Sequence, residues 1–348
     1  MEFMWQKMCK KYIKKIITSV LICSLVLETT ITNVDAKTYN QSGNALKGYV
    51  AKDYHVVNNT NYTRKRYKYK YYYDAKSIKI TKGYKKNSKF TRYWMLKNSI
   101  FKGKSSTSPQ SICVTPDGRI AYILVTNMHS ASKENNWTGR IYKVDILKKK
   151  LLKKGPKIKT GHGQAMGYNP KTKQLWFSNK NKEINTNLVQ ISTKTLKIVK
   201  TINFVLSSTV RMGNNLTFDK KGRVYFYTRS AGKWGAPGDP VNNIKIYRGR
   251  IHKKSVSFSL IMQGIKNPPG QIGQSLGYNP KSNRLYLVDD GEIISVPVSK
   301  LGHLKKKDVR TTVFGKRREF EGLSFDKKGN GYFLTNKPYE IMKTCKGF

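Results

Sequence analysis

An all-β fold assembled from repeated four-stranded units is what this 348-residue chain predicts. Three observations carry that reading. One motif recurs five times, starting at Gln110, Gln164, Asn214, Gln274 and Glu321, with 54, 50, 60 and 47 residues between successive starts. Each copy reads as strand, turn, strand: QSICVTPDGRIAYILV, QAMGYNPKTKQLWFS, NNLTFDKKGRVYFYT, QSLGYNPKSNRLYLV and EGLSFDKKGNGYFLT. Behind each of the first four copies lie two further strand-like runs around a lysine-rich turn. Apolar alternation bounded by Asn, Asp, Pro and Gly is a hairpin signal. Repeats of this length with four short strands each are the pattern of propeller blades. The expectation is a five-bladed β-propeller, with six blades as the alternative if residues 45–85 supply another.

In chain order, residues 1–36 read as a secretory signal peptide. KMCKKYIKK is a basic leader, and Ile16 to Leu27 is an apolar run of 12 residues, short for a bilayer span. Val34-Asp35-Ala36 forms a cleavage site, so the mature chain is expected outside the cell and associated with the cell surface. Residues 37–88 are a Lys/Tyr-rich segment expected to be partly disordered. Its stretch YTRKRYKYKYYYDAKSIKI has the aromatic and cationic side chains of an adhesive tail. Residues 89–348 are the propeller. After the fifth copy only YEIMKTCKGF remains, enough for a third strand but no fourth. The missing strand is expected from KFTRYWMLKN, Lys89 to Asn98, so that interleaved termini close the ring.

The columns of the repeat have physical roles. Third residues are apolar: Ile112, Met166, Leu216, Leu276 and Leu323. Fifth residues are apolar and mostly aromatic: Val114, Tyr168, Phe218, Tyr278 and Phe325. Fourth residues are small: Cys113, Gly167, Thr217, Gly277 and Ser324. Period-two alternation sets the small residues on the opposite face of the strand, where blades crowd together. Gly161, Gly163 and Gly167 around His162 therefore read as scaffold. Their spacing misses G-x-G-x-x-G and no helix follows.

Charge points to the partner. Lys and Arg number 68 against 19 Asp and Glu, a net of +49. Without residues 1–36 the net is +47. The excess is mostly lysine, a point charge that lacks the bidentate fork of arginine. Diffuse attraction to a polyanion follows, and with a signal peptide the polyanion is an extracellular wall polymer, glycan or anionic membrane surface. Nucleic acid is not expected as a physiological partner, and the chain is expected to be monomeric.

Gln110, Gln164, Asn214, Gln274 and Glu321 form the first column, and His162 lies two residues before Gln164. These six are the candidate ligand-binding residues at one mouth of the central channel. The competing reading is that the amides cap strands and bond neighbouring blades. Glycan hydrolysis is the alternative chemistry. It needs a carboxylate pair, and the candidates are Glu321 or Glu319 with Asp289 or Asp290. No H-E-x-x-H or Cys/His cluster indicates a metal, and no cofactor is expected. Cys113 and Cys345 are expected to remain unbridged.

The motif resembles the helveticin J-like family of class III bacteriocins and related secreted lactobacillus proteins. NNLTFDKKGRVYFYT and EFEGLSFDKKGNGYFLTN carry the resemblance, which covers residues 105–336. The pattern is also similar to propellers of phage receptor-binding and teichoic-acid-associated proteins. The resemblance implies a secreted, surface-directed and antimicrobial propeller, and it brings no established catalytic set. The strong charge and the Lys/Tyr-rich segment depart from helveticin J itself.

Overall fold

The computed structural model describes residues 36–47, 57–58, 76–96, 100, 107–128, 130–230, 243–266, 273–315, 318–336, 338–344 and 348. Among these residues the fold is all-β, with helix confined to three-residue 3-10 turns such as Glu134–Asn136. Four strands come first: β1 (Lys37–Asn44), β2 (Val57–Asn58), β3 (Ser77–Gly83) and β4 (Lys89–Met95). Antiparallel meanders follow. Unit 1 is β5 (Thr107–Val114), β6 (Ile120–Asn127), β7 (Thr138–Asp145) and β8 (Lys150–Lys154), with the short β9 (Ile158–Lys159) also on β7. Unit 2 is β10 (Met166–Asn169), β11 (Gln174–Phe177), β12 (Asn185–Ile191) and β13 (Ile198–Val205). Unit 3 is β14 (Thr217–Phe218), β15 (Val224–Ser230), β16 (Asn243–Ile251) and β17 (Val256–Lys266). Unit 4 is β18 (Gly273–Asn279), β19 (Arg284–Asp289), β20 (Glu292–Pro297) and β21 (Arg310–Phe314). Unit 5 has β22 (Phe320–Phe325), β23 (Gly331–Thr335) and β24 (Glu340–Lys343), and its fourth strand is β4.

The other early strands cover outer edges. β1 runs parallel to β13 and β2 parallel to β17. β3 lies between β21 and β4, which joins units 4 and 5 into one nine-stranded sheet. An uncovered outer strand presents unpaired backbone groups; β3 removes that hazard for β21 and β4, while β1 and β2 become the new outer edges of units 2 and 3. The described parts of residues 37–88 are thus mostly edge strands; those within 45–85, β2 and β3, serve different units. The tyrosine-rich stretch at 61–75 lies outside the described residues, as does Cys345.

Local chemistry explains why each motif folds as a hairpin. In unit 3, Asp219 Oδ1 accepts from the backbone N–H groups of Lys221 (2.9 Å) and Arg223 (3.0 Å). In unit 5, Asp326 Oδ1 does the same for Lys328 and Asn330, both at 2.9 Å. Units 2 and 4 use Asn169 and Asn279, whose Oδ1 atoms accept from Lys171 and Lys281 at 3.0 Å. A short side-chain acceptor that bonds its own backbone two residues on is the Asx-turn device.

Core clusters lie between consecutive units. Ile112 and Val114 of unit 1 pack with Leu334 and Ile341 of unit 5. Cys113 and Tyr122 pack with Met166 and Phe177 of unit 2. Trp176 and Leu188 meet Leu216 and Phe226 of unit 3, and Tyr225 and Ile246 meet Leu276 and Leu287 of unit 4. Tyr286 and Val288 meet Phe320 and Phe333 of unit 5, which closes the cycle.

The small-residue column lies where neighbouring inner strands touch. A Cβ on Gly277 would stand 2.7 Å from the backbone oxygen of Leu323. One on Gly167 would stand 2.9 Å from an edge carbon of the Phe218 ring. A backbone atom in a strand cannot yield, whereas a ring can rotate. Gly277→Ala is therefore expected to lower stability by about 1–3 kcal/mol, and Gly167→Ala by less. Equal losses in chemical denaturation would show that the backbone contact is not what sets the column. Gly163 is constrained differently: its φ is +87° and an added Cβ would meet Thr126 Oγ1 at 2.5 Å. Its place in the glycine cluster is conformational.

Candidate functional site

The polar column is built on a distortion of the inner strands. Register shifts between Pro109 and Ser111, between Gly273 and Ser275, and between Phe320 and Gly322. The extra residue in each case is Gln110, Gln274 or Glu321. A bulge unpairs its residue and re-aims the side chain. In units 2 and 3, Gln164 and Asn214 precede the first residue of the inner strand. The side chains so released meet one another. Gln164 Nε2 donates to Gln274 Oε1 at 2.6 Å and to Glu321 Oε2 at 3.1 Å. Gln274 Nε2 donates to Asp290 Oδ1 at 3.1 Å, which also accepts from the Phe320 N–H at 3.0 Å. Asn336 Nδ2 donates to Glu321 Oε1 and, at 2.9 Å, to Ser108 Oγ; Gln110 Nε2 donates to the same hydroxyl at 3.1 Å.

Unit 2 is not a neighbour of units 4 or 5 in the cycle of packed cores. The bonds from Gln164 to Gln274 and Glu321 therefore cross the middle of the assembly. Gln110, Gln164, Gln274, Glu321, Asn336 and Asp290 are all buried. Buried polar groups need partners, and this network supplies them from within. Gln110 Oε1 and Asn336 Oδ1 have no hydrogen-bond partner among the described residues.

His162 lies apart from this network. Its Nδ1 is 3.1 Å from Glu134 Oε1 and its ring packs 5.9 Å from that of Trp137. The bond from His162, with Lys182 at 3.6 Å adding charge, holds the Glu134 carboxyl below the usual carboxylate range. Asn214 is half-buried and no bond joins it to Gln164 or Gln274. Of the candidate acids, Asp289 and Asp290 are buried side by side, with the Asp290 N–H donating to Asp289 Oδ1 at 2.7 Å. Glu319 is half-buried. Glu321 and Asp290 are linked through Gln164 and Gln274. Among the described residues no group of three His, Cys, Asp or Glu could hold a metal ion.

A cavity of about 380 Å³ lies among the five inner strands, on the side of the hairpin turns. All five units line it, and the repeat columns explain its walls. Ile112, Met166, Leu216, Leu276 and Leu323 contribute apolar surface; Tyr168, Phe218, Tyr278 and Phe325 add aromatic rings. Turn residues Pro116, Pro170, Lys220, Pro280 and Lys327 complete the lining. No acidic residue lines it. Cys113, Gly167, Thr217 and Ser324 of the small column line it as well, and Cys113 is free, buried, and has its thiol pushed up to about 12 by burial. A thiol of that kind is a wall, not a nucleophile. Sequence reasoning assigned these columns to packing. The signal for a cavity was that five equivalent apolar side chains around one axis leave a hole in the middle.

Charge is partitioned by burial. Among the described acids, only Asp117 and Glu183 are exposed, and Glu134, Asp308 and Glu319 are half-buried. Asp145, Asp219, Asp326, Glu340 and the rest are buried. Lys148, Lys149, Lys150, Lys305, Lys306 and Lys307 on the outer turns are all exposed. No described helix is long and apolar enough to cross a membrane.

No family model and no curated protein sequence matches the chain. Solved structures similar to it include a chain of Kuenenia stuttgartiensis hydrazine synthase, at 12% identity and a TM-score of 0.37, covering 70% of this chain and 99% of that one. TolB from Acinetobacter baumannii is similar at 11% identity and a TM-score of 0.38, with 67% of this chain and 53% of TolB covered. The β-propeller domain of Myceliophteria thermophila Cps50 (Swd1) follows at 9% and 0.32, covering 68% and 83%. The structural neighbours of this all-β chain are thus propeller-like, and at these scores the likeness says nothing of activity.

Proposed function

We propose that the chain is a secreted, five-bladed β-propeller that binds anionic polymer of the bacterial cell surface, such as teichoic acid. Each of the five meanders is a blade, and pairing of β4 with β24 closes the ring. The observation that carries the binding function is the burial of acids beneath a lysine surface. With most carboxylates inside and bonded, the outward field is almost wholly positive and draws in polyanions over about a Debye length. Nothing in such a field reads fine geometry, which suits a repetitive polymer of phosphates. The helveticin J-like motifs agree with a surface-directed, bacteriocin-type role.

Sedimentation with purified Gram-positive walls, with and without teichoic acid, tests this. Binding should fall at least tenfold between 50 and 500 mM salt, where the Debye length shrinks from roughly 14 to 4 Å. Changing Lys148–Lys150 and Lys305–Lys307 to Glu should produce much of that loss at low salt. Equal binding to walls stripped of teichoic acid, or binding indifferent to salt, would refute the reading.

A further inference from the structure

The axial cavity is a second site, separate from the lysine surface that polymer binding uses. We propose that it binds a single-tailed anionic amphiphile, with the tail along the axis and the head at Lys220 and Lys327. Its volume of about 380 Å³ lies within the range of small-molecule pockets. Its lining in unit 1 runs along β5 from Ser111 to Val114, roughly 10 Å at about 3.3 Å per strand residue, and reaches Pro116 in the turn beyond. A lining that runs from the inner strands out to the turns suits an extended chain.

The wall chemistry supports an apolar tail. Three polar side-chain atoms of the lining are already engaged inside the protein. Ser111 Oγ donates to the Gly163 carbonyl at 2.7 Å, Cys113 Sγ to the Met166 carbonyl at 3.5 Å, and Ser324 Oγ accepts from the Val114 N–H at 2.9 Å. A ligand there gains from burial of apolar area more than from new hydrogen bonds.

The mouth supports an anionic head. Lys220 and Lys327 are exposed and line the cavity. The acids next to them in sequence are turned elsewhere. Asp219 holds Arg223 at 2.5 Å and the Tyr225 hydroxyl at 3.0 Å. Asp326 holds Asn330 Nδ2 at 2.7 Å and the Tyr332 hydroxyl at 3.3 Å. No acid is in the lining; the exposed Asp117 follows Pro116 in the turn of unit 1, and the two rim lysines favour an anionic head over a neutral one by direct Coulomb attraction.

Dodecanoate below its micelle concentration is the probe, followed by calorimetry, with dodecan-1-ol and acetate for comparison. One dodecanoate should bind per chain, at least tenfold more tightly than dodecan-1-ol, and acetate should not bind. Thr217→Phe fills the cavity and should weaken dodecanoate at least tenfold, with a cooperative heat-melting transition, whatever its midpoint, as the check on folding. Lys220→Glu with Lys327→Glu should weaken dodecanoate tenfold and spare dodecan-1-ol. The charge-matched pair Lys153→Glu and Lys154→Glu, on an exposed part of β8, should leave dodecanoate binding as it was. Wall binding should be the same in Thr217→Phe as in the parent, so failure of this site and failure of polymer binding are read separately. A folded Thr217→Phe that binds dodecanoate normally would overturn the cavity as the site. Equal effects of the rim and β8 pairs would overturn the head-group assignment.

Discussion

Replacing Glu340 with alanine should destabilise the protein by about 3–5 kcal/mol, one of the largest effects of any single substitution. Glu340 lies fully buried in β24. Its Oε1 is 2.6 Å from Arg318 Nη2, and its Oε2 accepts from Arg92 Nε on β4. Arg318 is itself only 1% exposed. It also donates to Thr335 Oγ1 at 3.1 Å, a bond that fixes the group but does not neutralise it. Removal of the carboxylate takes away the counter-charge that faces the buried Arg318 guanidinium, which costs far more than the intact pair contributes. Glu340→Gln keeps an acceptor oxygen and should lose clearly less. The measurement is a urea midpoint at constant slope, where the alanine variant should also melt lower by on the order of 10 °C. If alanine costs under about 1 kcal/mol, Glu340 does not tie β4 to unit 5.

A chain that begins at Thr107 should fail to reach the native fold at all. It would lack β4 and β3, and with them Phe90, Trp94, Leu96, Ile78 and Ile80, all buried. Each such side chain stabilises by about 1.5–3 kcal/mol on burial, so the sum is roughly 10 kcal/mol, comparable to the whole stability of a domain. Phe90 alone packs against Phe333 at 4.7 Å, Phe348 at 5.4 Å and Phe314 at 6.0 Å. The loss also bares the edge of β24, a template for aggregation. Near-ultraviolet circular dichroism and gel filtration report the outcome. A soluble, cooperatively melting chain from Thr107 onward would show that three strands suffice for unit 5.

The repeat was legible because hairpins are local. Asp219 and Asp326 bond backbone within their own turns, and the pattern of each strand depends on residues two apart. The supply of the fourth strand of unit 5 from Lys89–Met95 was readable too, since YEIMKTCKGF is too short to hold two strands. The edge roles of β1 and β2 were not. Parallel pairing with β13 and β17 joins segments more than 150 residues apart, and neither carries a signal for its partner.

The candidate site divides in the same way. Sequence alone determined that each repeat opens on a polar residue, that small residues follow where strands approach, and that the chain carries a large positive excess. Bulges at Gln110, Gln274 and Glu321 depend on register against β6, β19 and β23, which no single strand encodes. Only the tertiary structure decided that Gln164, Gln274 and Glu321 bond across the middle, that His162 goes to Glu134, and that the apolar columns enclose a cavity. It also decided where the charges go. A carboxylate is buried only where donors converge on it, and that convergence arises from the packing of units distant in the chain.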